Sequence, residues 1–130
     1  MSLNDPLANV LSHILNSEKK AKESCMIKPV SKVIVKVLEL LKANMYLGGY
    51  EIVSKAKGGE AKLHLLGNIN KCGVIKPRFS VKYTEFEKFE KRYLPAKGFG
   101  FLVVSTPKGI MVHEDAIKKK LGGKLLAYCY

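Results

Sequence analysis

The chain has 130 residues, of which 47% are hydrophobic, so it is long enough and apolar enough to bury a core. This composition excludes intrinsic disorder and fibrous folds. Lysine and arginine number 23 against 11 acidic residues, and the formal net charge of +12 is typical of proteins that bind nucleic acid. No apolar run approaches the ~20 residues of a membrane-spanning helix, and the first ten residues lack the cation and the apolar stretch of a signal peptide. We therefore expect a cytoplasmic protein with no membrane contact.

The chain begins with a predicted helix and a short strand. Asp5 and Pro6 are an N-cap and a first-turn proline ahead of a stripe of apolar residues at helical spacing, which predicts a helix from Pro6 to about Ala21. Cys25–Ile27 is apolar and short, and Pro29 follows it, so we predict a strand there.

A second helix and a hairpin complete the first half. Ser31 is the predicted N-cap, the apolar stripe that follows reaches Met45, and Gly48 with Gly49 is expected to end the helix. The predicted hairpin consists of two strands and the turn between them, Tyr50–Ala56, Ala61–Leu66 and Lys57–Glu60.

The polar, glycine-bounded segment Gly67–Gly73 is the predicted boundary between two domains. After it, apolar and polar residues alternate over Ile75–Val81, which predicts a half-buried strand. Its outer face carries Lys76 and Arg78, which we expect to contact nucleic acid. Because Pro77 has no N–H to donate, we expect this strand to lie at a sheet edge or to carry a bulge.

An aromatic stripe marks the next predicted helix, Glu85 to about Arg92, with Thr84 and Glu87 as a capping box. Glu87 and Lys91 are placed for an i,i+4 ion pair. Aromatic residues at this spacing belong either to a core or to a surface on which bases stack, and we favour the core.

The end of the chain predicts three further strands and one short helix. Phe101–Val104 reads as a buried strand, Ile110–Val112 as a second strand, and Lys124–Tyr130 as the last strand. The helix between the last two begins at Glu114 and is expected to close at Gly122 and Gly123.

These elements predict an α+β fold of two small packed domains. The first, residues 1–68, has the order helix, strand, helix, strand, strand, and the second, residues 69–130, is β-rich with short helices. Residues 71–130 hold thirteen of the cations and only five acids, so the basic surface is expected mainly on the second domain.

Catalytic and cofactor chemistry finds little support in the sequence. Three scattered cysteines and three isolated histidines form no metal-ligand spacing, so we expect no metal and no enzyme activity. A dinucleotide-binding loop at Gly98–Gly100 is not supported, because a predicted strand rather than a helix follows it. We therefore expect no cofactor. An enzyme using Cys72 as nucleophile is the rival hypothesis from a different class.

The loop Ser105–Gly109 has the chemistry of an RNA contact. Ser105 and Thr106 offer hydroxyl donors and acceptors, Lys108 offers a charge for phosphate, and Pro107 with Gly109 shapes the backbone. The alternative is that this segment is only a turn between two strands. Composition alone leaves both interpretations open.

The stretch Val104–Tyr128 resembles the C-terminal signature of the family of the eighth protein of the small ribosomal subunit. Asp5–Asn9 and Pro29–Lys32 resemble N-terminal landmarks of the same family, so the resemblance covers nearly the whole chain. The segment His113–Ala116 is more similar to the archaeal and eukaryotic branch than to the bacterial one.

The resemblance implies a structural constituent of the small subunit that is a primary binder of ribosomal RNA. Its implied partners are a helix of the central domain of that RNA, neighbouring ribosomal proteins and its own messenger RNA, with a monomeric state outside the ribosome. Binding is implied to promote subunit assembly. The alternative function is a translational regulator or an accessory to RNA modification.

The resemblance also implies which residues bind RNA. Pro107 stands where many members have serine, which removes a hydroxyl and an N–H, so Ser105 and Thr106 are expected to matter more. Lys124 stands where bacterial members often have an acid. The predicted RNA-binding set comprises Ser105, Thr106, Pro107, Lys108, Gly109, Gly122, Gly123, Lys124, Lys76, Arg78, Asp5, Asn9, Ser31 and Lys32.

Overall fold

The computed structural model describes residues 6–28, 31–54, 59–96 and 98–130, which fall into two compact units, residues 1–70 and residues 71–130. Helices and antiparallel sheets are both present in each unit, and the predicted α+β fold is confirmed. Across the described ranges, no helix has the length and apolar character needed to cross a membrane.

The first unit is a three-stranded antiparallel sheet with two helices. The strand order is β1-β3-β2. The buried positions on both helices follow the predicted apolar spacing, from Leu7 to Ile14 on the first and from Ile34 to Leu41 on the second. The elements are α1 (Pro6–Lys19), β1 (Ser24–Ile27), α2 (Lys32–Ala43), β2 (Leu47–Ser54) and β3 (Glu60–Leu65).

Ser31 caps α2 as predicted, because its Oγ accepts the Ile34 N–H at 3.3 Å. The predicted end of α2 is wrong. The helix stops at Ala43, and the Tyr46 N–H donates to the Leu41 carbonyl around Met45, whose φ is +65°. Met45 is therefore 67% exposed instead of continuing the apolar stripe.

The glycine pair that was expected to end α2 lies inside β2. A bulge falls between Leu47 and Gly49 where this strand pairs with β3. The hairpin of β2 and β3 is confirmed. The predicted roles of Asp5 and Pro29, and the first two residues of the predicted turn Lys57–Glu60, fall on residues outside the described ranges.

The second unit is a five-stranded antiparallel sheet with two helices. Its central strand, β8, pairs with β6 on one side and with both β4 and β5 on the other, while β7 pairs with β6. The elements are β4 (Cys72–Val74), β5 (Ser80–Val81), α3 (Phe86–Tyr93), β6 (Phe101–Thr106), β7 (Gly109–Val112), α4 (His113–Lys118) and β8 (Gly123–Cys129).

The strand predicted over Ile75–Val81 lies at a sheet edge, as expected for a strand that contains Pro77, but it is not continuous. The Ile75 N–H still donates to the Leu126 carbonyl and the Phe79 carbonyl still accepts the Leu125 N–H, each at 3.0 Å, and the chain bends away from the sheet between them around the exposed Pro77. Proline offers no N–H for a ladder, which accounts for the interruption at this position.

The aromatic residues of α3 are core residues, as predicted. Phe86 and Phe89 are buried against Leu102 and Leu125, and Glu87 pairs with Lys91 at 4.0 Å. The predicted capping box is wrong, because the N-cap is Glu85 and no side chain caps the helix.

The end predicted for the last helix is also wrong. The chain closes α4 before the glycine pair, through the Leu121 N–H donating to the Ala116 carbonyl around Lys120, whose φ is +56°. Gly123 then begins β8.

Candidate nucleic-acid interface

The start of β8 brings together three separate segments of the second unit. Lys124 lies opposite Ser80 of β5 on one side and opposite Ser105 of β6 on the other, and Gly123 lies opposite Val81. Ser105, which begins the predicted loop, therefore lies directly beside Lys124, and Ser80 lies on the far side of Lys124.

An open groove of about 530 Å³, which we call the Ser105 groove, occupies this junction. Five of the predicted site residues line it together with four others. The lining is Ser80, Val81, Lys82, Glu85, Ser105, Pro107, Gly122, Gly123 and Lys124.

The glycine pair lets the strands of this groove approach closely. A Cβ at Gly123 would overlap the Ser105 carbonyl, and a Cβ at Gly122 would lie 2.6 Å from the Val81 carbonyl oxygen. The absent side chains are thus explained by contacts within the protein. The sequence analysis had placed both glycines in the RNA-binding set.

The two adjacent hydroxyls of the predicted loop have different environments. Ser105 is half-buried, and its hydroxyl has no hydrogen-bond partner among the described residues. Thr106 is only 8% exposed, its Oγ1 donates to the Gly109 carbonyl at 2.7 Å, and the same oxygen accepts the Lys108 N–H at 3.2 Å. Thr106 therefore holds the turn between β6 and β7, whereas Ser105 is available to a ligand.

The charges at the groove are mostly positive. Lys82 and Lys124 are exposed on its wall, and Pro107 and Lys108 are exposed at the adjacent turn. Glu85 is the acid of the lining, and its carboxylate accepts the Lys82 N–H at 3.0 Å. This combination attracts a phosphate backbone at short range.

Two predicted cations lie outside the groove, and two polar residues that were not predicted line it. Lys76 and Arg78 are exposed on the bend between β4 and β5, outside the groove lining. Ser80 and Lys82 line the groove although the sequence analysis did not select them. Their alternation with the buried Val81 is the signal that places both on the outer face.

The predicted residues of the first unit lie on its helices. Asn9 is exposed on α1 and lines a pocket of about 310 Å³ with His13, Met26 and Lys28. Lys32 is exposed at the first position of α2, next to the Ser31 cap. Asp5 lies outside the described residues.

The described residues contain no cluster of side chains suited to thiol or metal chemistry. No group of three or more histidine, cysteine or acidic side chains there is close enough to hold a metal ion. Cys25, Cys72 and Cys129 are buried and free of disulfides. Burial raises the pKa of the Cys25 thiol, partly opposed by a hydrogen bond with Ser17, which makes it a poor nucleophile.

A comparison with known protein families agrees with a basic, nucleic-acid-binding site. The family model described as ribosomal protein S8 matches residues 5–130, which is nearly the entire chain. Proteins of this family are structural components of the small ribosomal subunit in the cytoplasm, where they bind ribosomal RNA and lie beside other ribosomal proteins. The chain belongs to the ribosomal protein S8 family and is a small-subunit protein that binds ribosomal RNA.

Proposed function

We propose that the Ser105 groove binds a helix of the central domain of small-subunit ribosomal RNA, and that this binding promotes assembly of the subunit. The observation that carries the proposal is the lining of the groove. It combines the Ser105 hydroxyl, which has no hydrogen-bond partner among the described residues, with the exposed side chains of Lys82 and Lys124. Family membership supplies the class of RNA.

The groove supports two kinds of contact. Lys82, Lys108 and Lys124 attract phosphates without regard to sequence, and each phosphate contact releases counterions. Ser105 can donate to or accept from a base edge or a 2′-hydroxyl. Because Pro107 provides neither a hydroxyl nor an N–H, its contribution is apolar contact and a stiff backbone.

The first unit contributes a second RNA contact in this proposal. Asn9 and Lys32 are exposed and offer an amide and a charge. The Ser31 oxygen already accepts the Ile34 N–H, so its remaining role towards RNA is to donate its O–H. Asp5 stays in the proposed set from the sequence alone.

Three further proposals concern the whole protein. The same groove would bind the chain's own messenger RNA wherever that message folds like the ribosomal helix. The isolated chain is monomeric in this proposal, and sedimentation would check it. The segment His113–Ala116 supports placement in the archaeal and eukaryotic branch.

Hydroxyl-radical footprinting of the full chain on small-subunit RNA tests the central proposal. Protection is expected on one helix of the central domain, and Ser105→Ala is expected to weaken binding to a fragment carrying that helix by roughly tenfold, since a polar partner on the RNA loses its hydrogen bond. The matched control is Ser24→Ala, which removes another half-buried strand serine, in β1. Protection confined to another domain, or equal effects of the two substitutions, would refute the proposal.

A further inference from the structure

The second unit has a second concave surface, which we call the acidic groove. It consists of two shallow pockets of about 180 and 220 Å³ that share Glu90. The walls are largely apolar, formed by Leu94, Pro95 and Ala96 on one side and by Ile117 of α4 on the other. None of these residues lines the Ser105 groove.

An exposed aromatic residue lies next to this groove in the chain, although it lines neither pocket. Phe99 is 62% exposed and lies in the turn whose residues Ala96 and Gly98 each line one pocket. The Phe99 N–H donates to the Ala96 carbonyl at 3.1 Å, and a Cβ at Gly100 would overlap the Cys129 carbonyl. The backbone at Gly100, directly after Phe99, therefore packs closely against the end of β8. Exposed aromatic residues are enriched at protein interfaces.

The charge of this groove is opposite to that of the rest of the unit. Residues 71–130 carry thirteen cations and five acids, yet the described lining of this groove holds three of those acids, Glu87, Glu90 and Glu114, and one lysine, Lys91. Such a surface repels a phosphate backbone and attracts a cationic partner.

The carboxylate of Glu90, which both pockets share, is held in place by the buried His113. His113 is 2% exposed, and its Nδ1 accepts the Leu102 N–H at 3.0 Å, so the ring hydrogen lies on Nε2. Nε2 lies 3.1 Å from Oε1 of Glu90, whose side chain is only 14% exposed. The second oxygen, Oε2, has no partner among the described residues. A pre-positioned carboxylate of this kind matches the fork of an arginine side chain.

We propose that the acidic groove docks a lysine- or arginine-rich segment of a neighbouring protein of the small subunit. A cationic side chain of that segment binds Glu90 and Glu114, and an apolar side chain packs on Phe99 and Ile117. This inference rests on family membership and on the geometry of the groove, and it is independent of the RNA contact proposed for Ser105. One face of the second unit thus binds RNA and another binds protein.

Site-specific crosslinking in the assembled particle tests the proposal. The full chain, with a benzophenone amino acid in place of Phe99, is incorporated into small subunits, irradiated, and the attached molecule is identified by mass spectrometry. We expect attachment to one basic segment of one ribosomal protein. The comparison position is Tyr83, an exposed aromatic residue beside the Ser105 groove, where attachment to RNA is expected. Attachment of position 99 mainly to RNA, or no attachment, overturns the proposal.

A pair of charge reversals separates docking from general effects. Glu114→Lys changes an acid of the groove lining, whereas Asp115→Lys changes the adjacent exposed acid, which is outside the lining and shares the first turn of α4. Glu114→Lys is expected to lower the protein crosslink at position 99 about tenfold, because it places like charges together, and Asp115→Lys to change it by less than about twofold. Equal losses would overturn the proposal.

Measuring the affinity of each variant for a central-domain RNA fragment keeps the two proposals apart. Glu114→Lys is expected to retain or slightly raise RNA affinity. Loss of RNA affinity in either variant would contradict the Ser105 groove as the RNA contact, whereas an unchanged crosslink in Glu114→Lys would contradict the docking proposal.

Discussion

Replacing Thr106 by valine tests whether this residue positions the RNA-binding turn or touches RNA itself. Valine preserves the branched shape and the strand preference of threonine but removes Oγ1. The substitution deletes the bond to the Gly109 carbonyl at 2.7 Å and the bond from the Lys108 N–H at 3.2 Å. Both bonds close the turn that carries Pro107 and Lys108.

The expected cost is about 1–2 kcal/mol in the free energy of unfolding. A single intramolecular hydrogen bond contributes roughly 0.5–1.5 kcal/mol, and water can reach part of this exposed turn, so the sum falls below the full cost of two buried groups. Thr106→Ser retains the hydroxyl and loses one methyl group, worth about 0.8 kcal/mol at most. The serine variant should therefore keep the turn and its RNA affinity.

Urea unfolding and RNA binding, measured on the same three proteins, separate the two roles. If Thr106 positions the turn, valine lowers both stability and affinity, and serine restores most of both. If Thr106 contacts RNA directly, valine lowers affinity and leaves stability unchanged. An unfolding free energy for Thr106→Val within about 0.3 kcal/mol of the parent protein would refute the positioning role, since that is less than one hydrogen bond is worth.

Three other outcomes are expected. Affinity for RNA should fall steeply with salt, and Lys124→Ala should reduce the slope of log affinity against log salt by about one in titrations at several salt concentrations; an unchanged slope would remove Lys124 from the phosphate contacts. Gly123→Ala should lower the unfolding free energy by about 3 kcal/mol because its Cβ meets backbone, whereas Gly48→Ala, whose nearest neighbour is the end of the Leu66 side chain, should cost much less in the same melts. The Cys25 thiol, whose pKa is raised by burial, should react with a disulfide reagent at pH 8 at least about tenfold more slowly than free cysteine until urea exposes it; rapid reaction in the native state would contradict its burial.

The interiors of the helices and strands were predictable because each buries one side of a regular pattern. The stripe from Leu7 to Ile14 and the apolar run Phe101–Val104 both lie where their periodicity placed them. Pro77 indicated an irregular edge strand, but the alternation around it did not reveal that the strand is split into two separate pieces, β4 and β5.

The ends of α2 and α4 were mispredicted for one physical reason. Three helices close through a left-handed residue that is not glycine, namely Ala21, Met45 and Lys120, each with φ between +55° and +65°. In each case an N–H one residue further on donates to a carbonyl five positions back. Glycine is the usual marker of this motif, so a search for glycines moved two of the predicted ends forward to the next glycine pair, at Gly48 and Gly122.

The candidate site was predictable as chemistry and not as geometry. Two hydroxyls, a proline and a lysine in one loop indicate an RNA contact, but nothing local in the sequence distinguishes the hydroxyl of Ser105 from that of Thr106. The difference arises from the hairpin that closes at Gly109. Ser80 and Lys82 were missed because only the register of β5 against β8 brings them to the groove.

At the junction of β5, β6 and β8, some residues affect both the stability of the fold and RNA binding. Others affect RNA binding alone. Gly123 cannot accept a side chain without moving the Ser105 carbonyl, and Thr106 cannot lose its hydroxyl without loosening the turn at Lys108. Loss of RNA binding on changing either residue would therefore follow even if neither touched RNA. Ser105 is different, because its hydroxyl bonds to no described residue, so its removal breaks no hydrogen bond among them. A loss of affinity on Ser105→Ala, at unchanged stability, consequently measures recognition alone, and it is the substitution by which the groove should be judged.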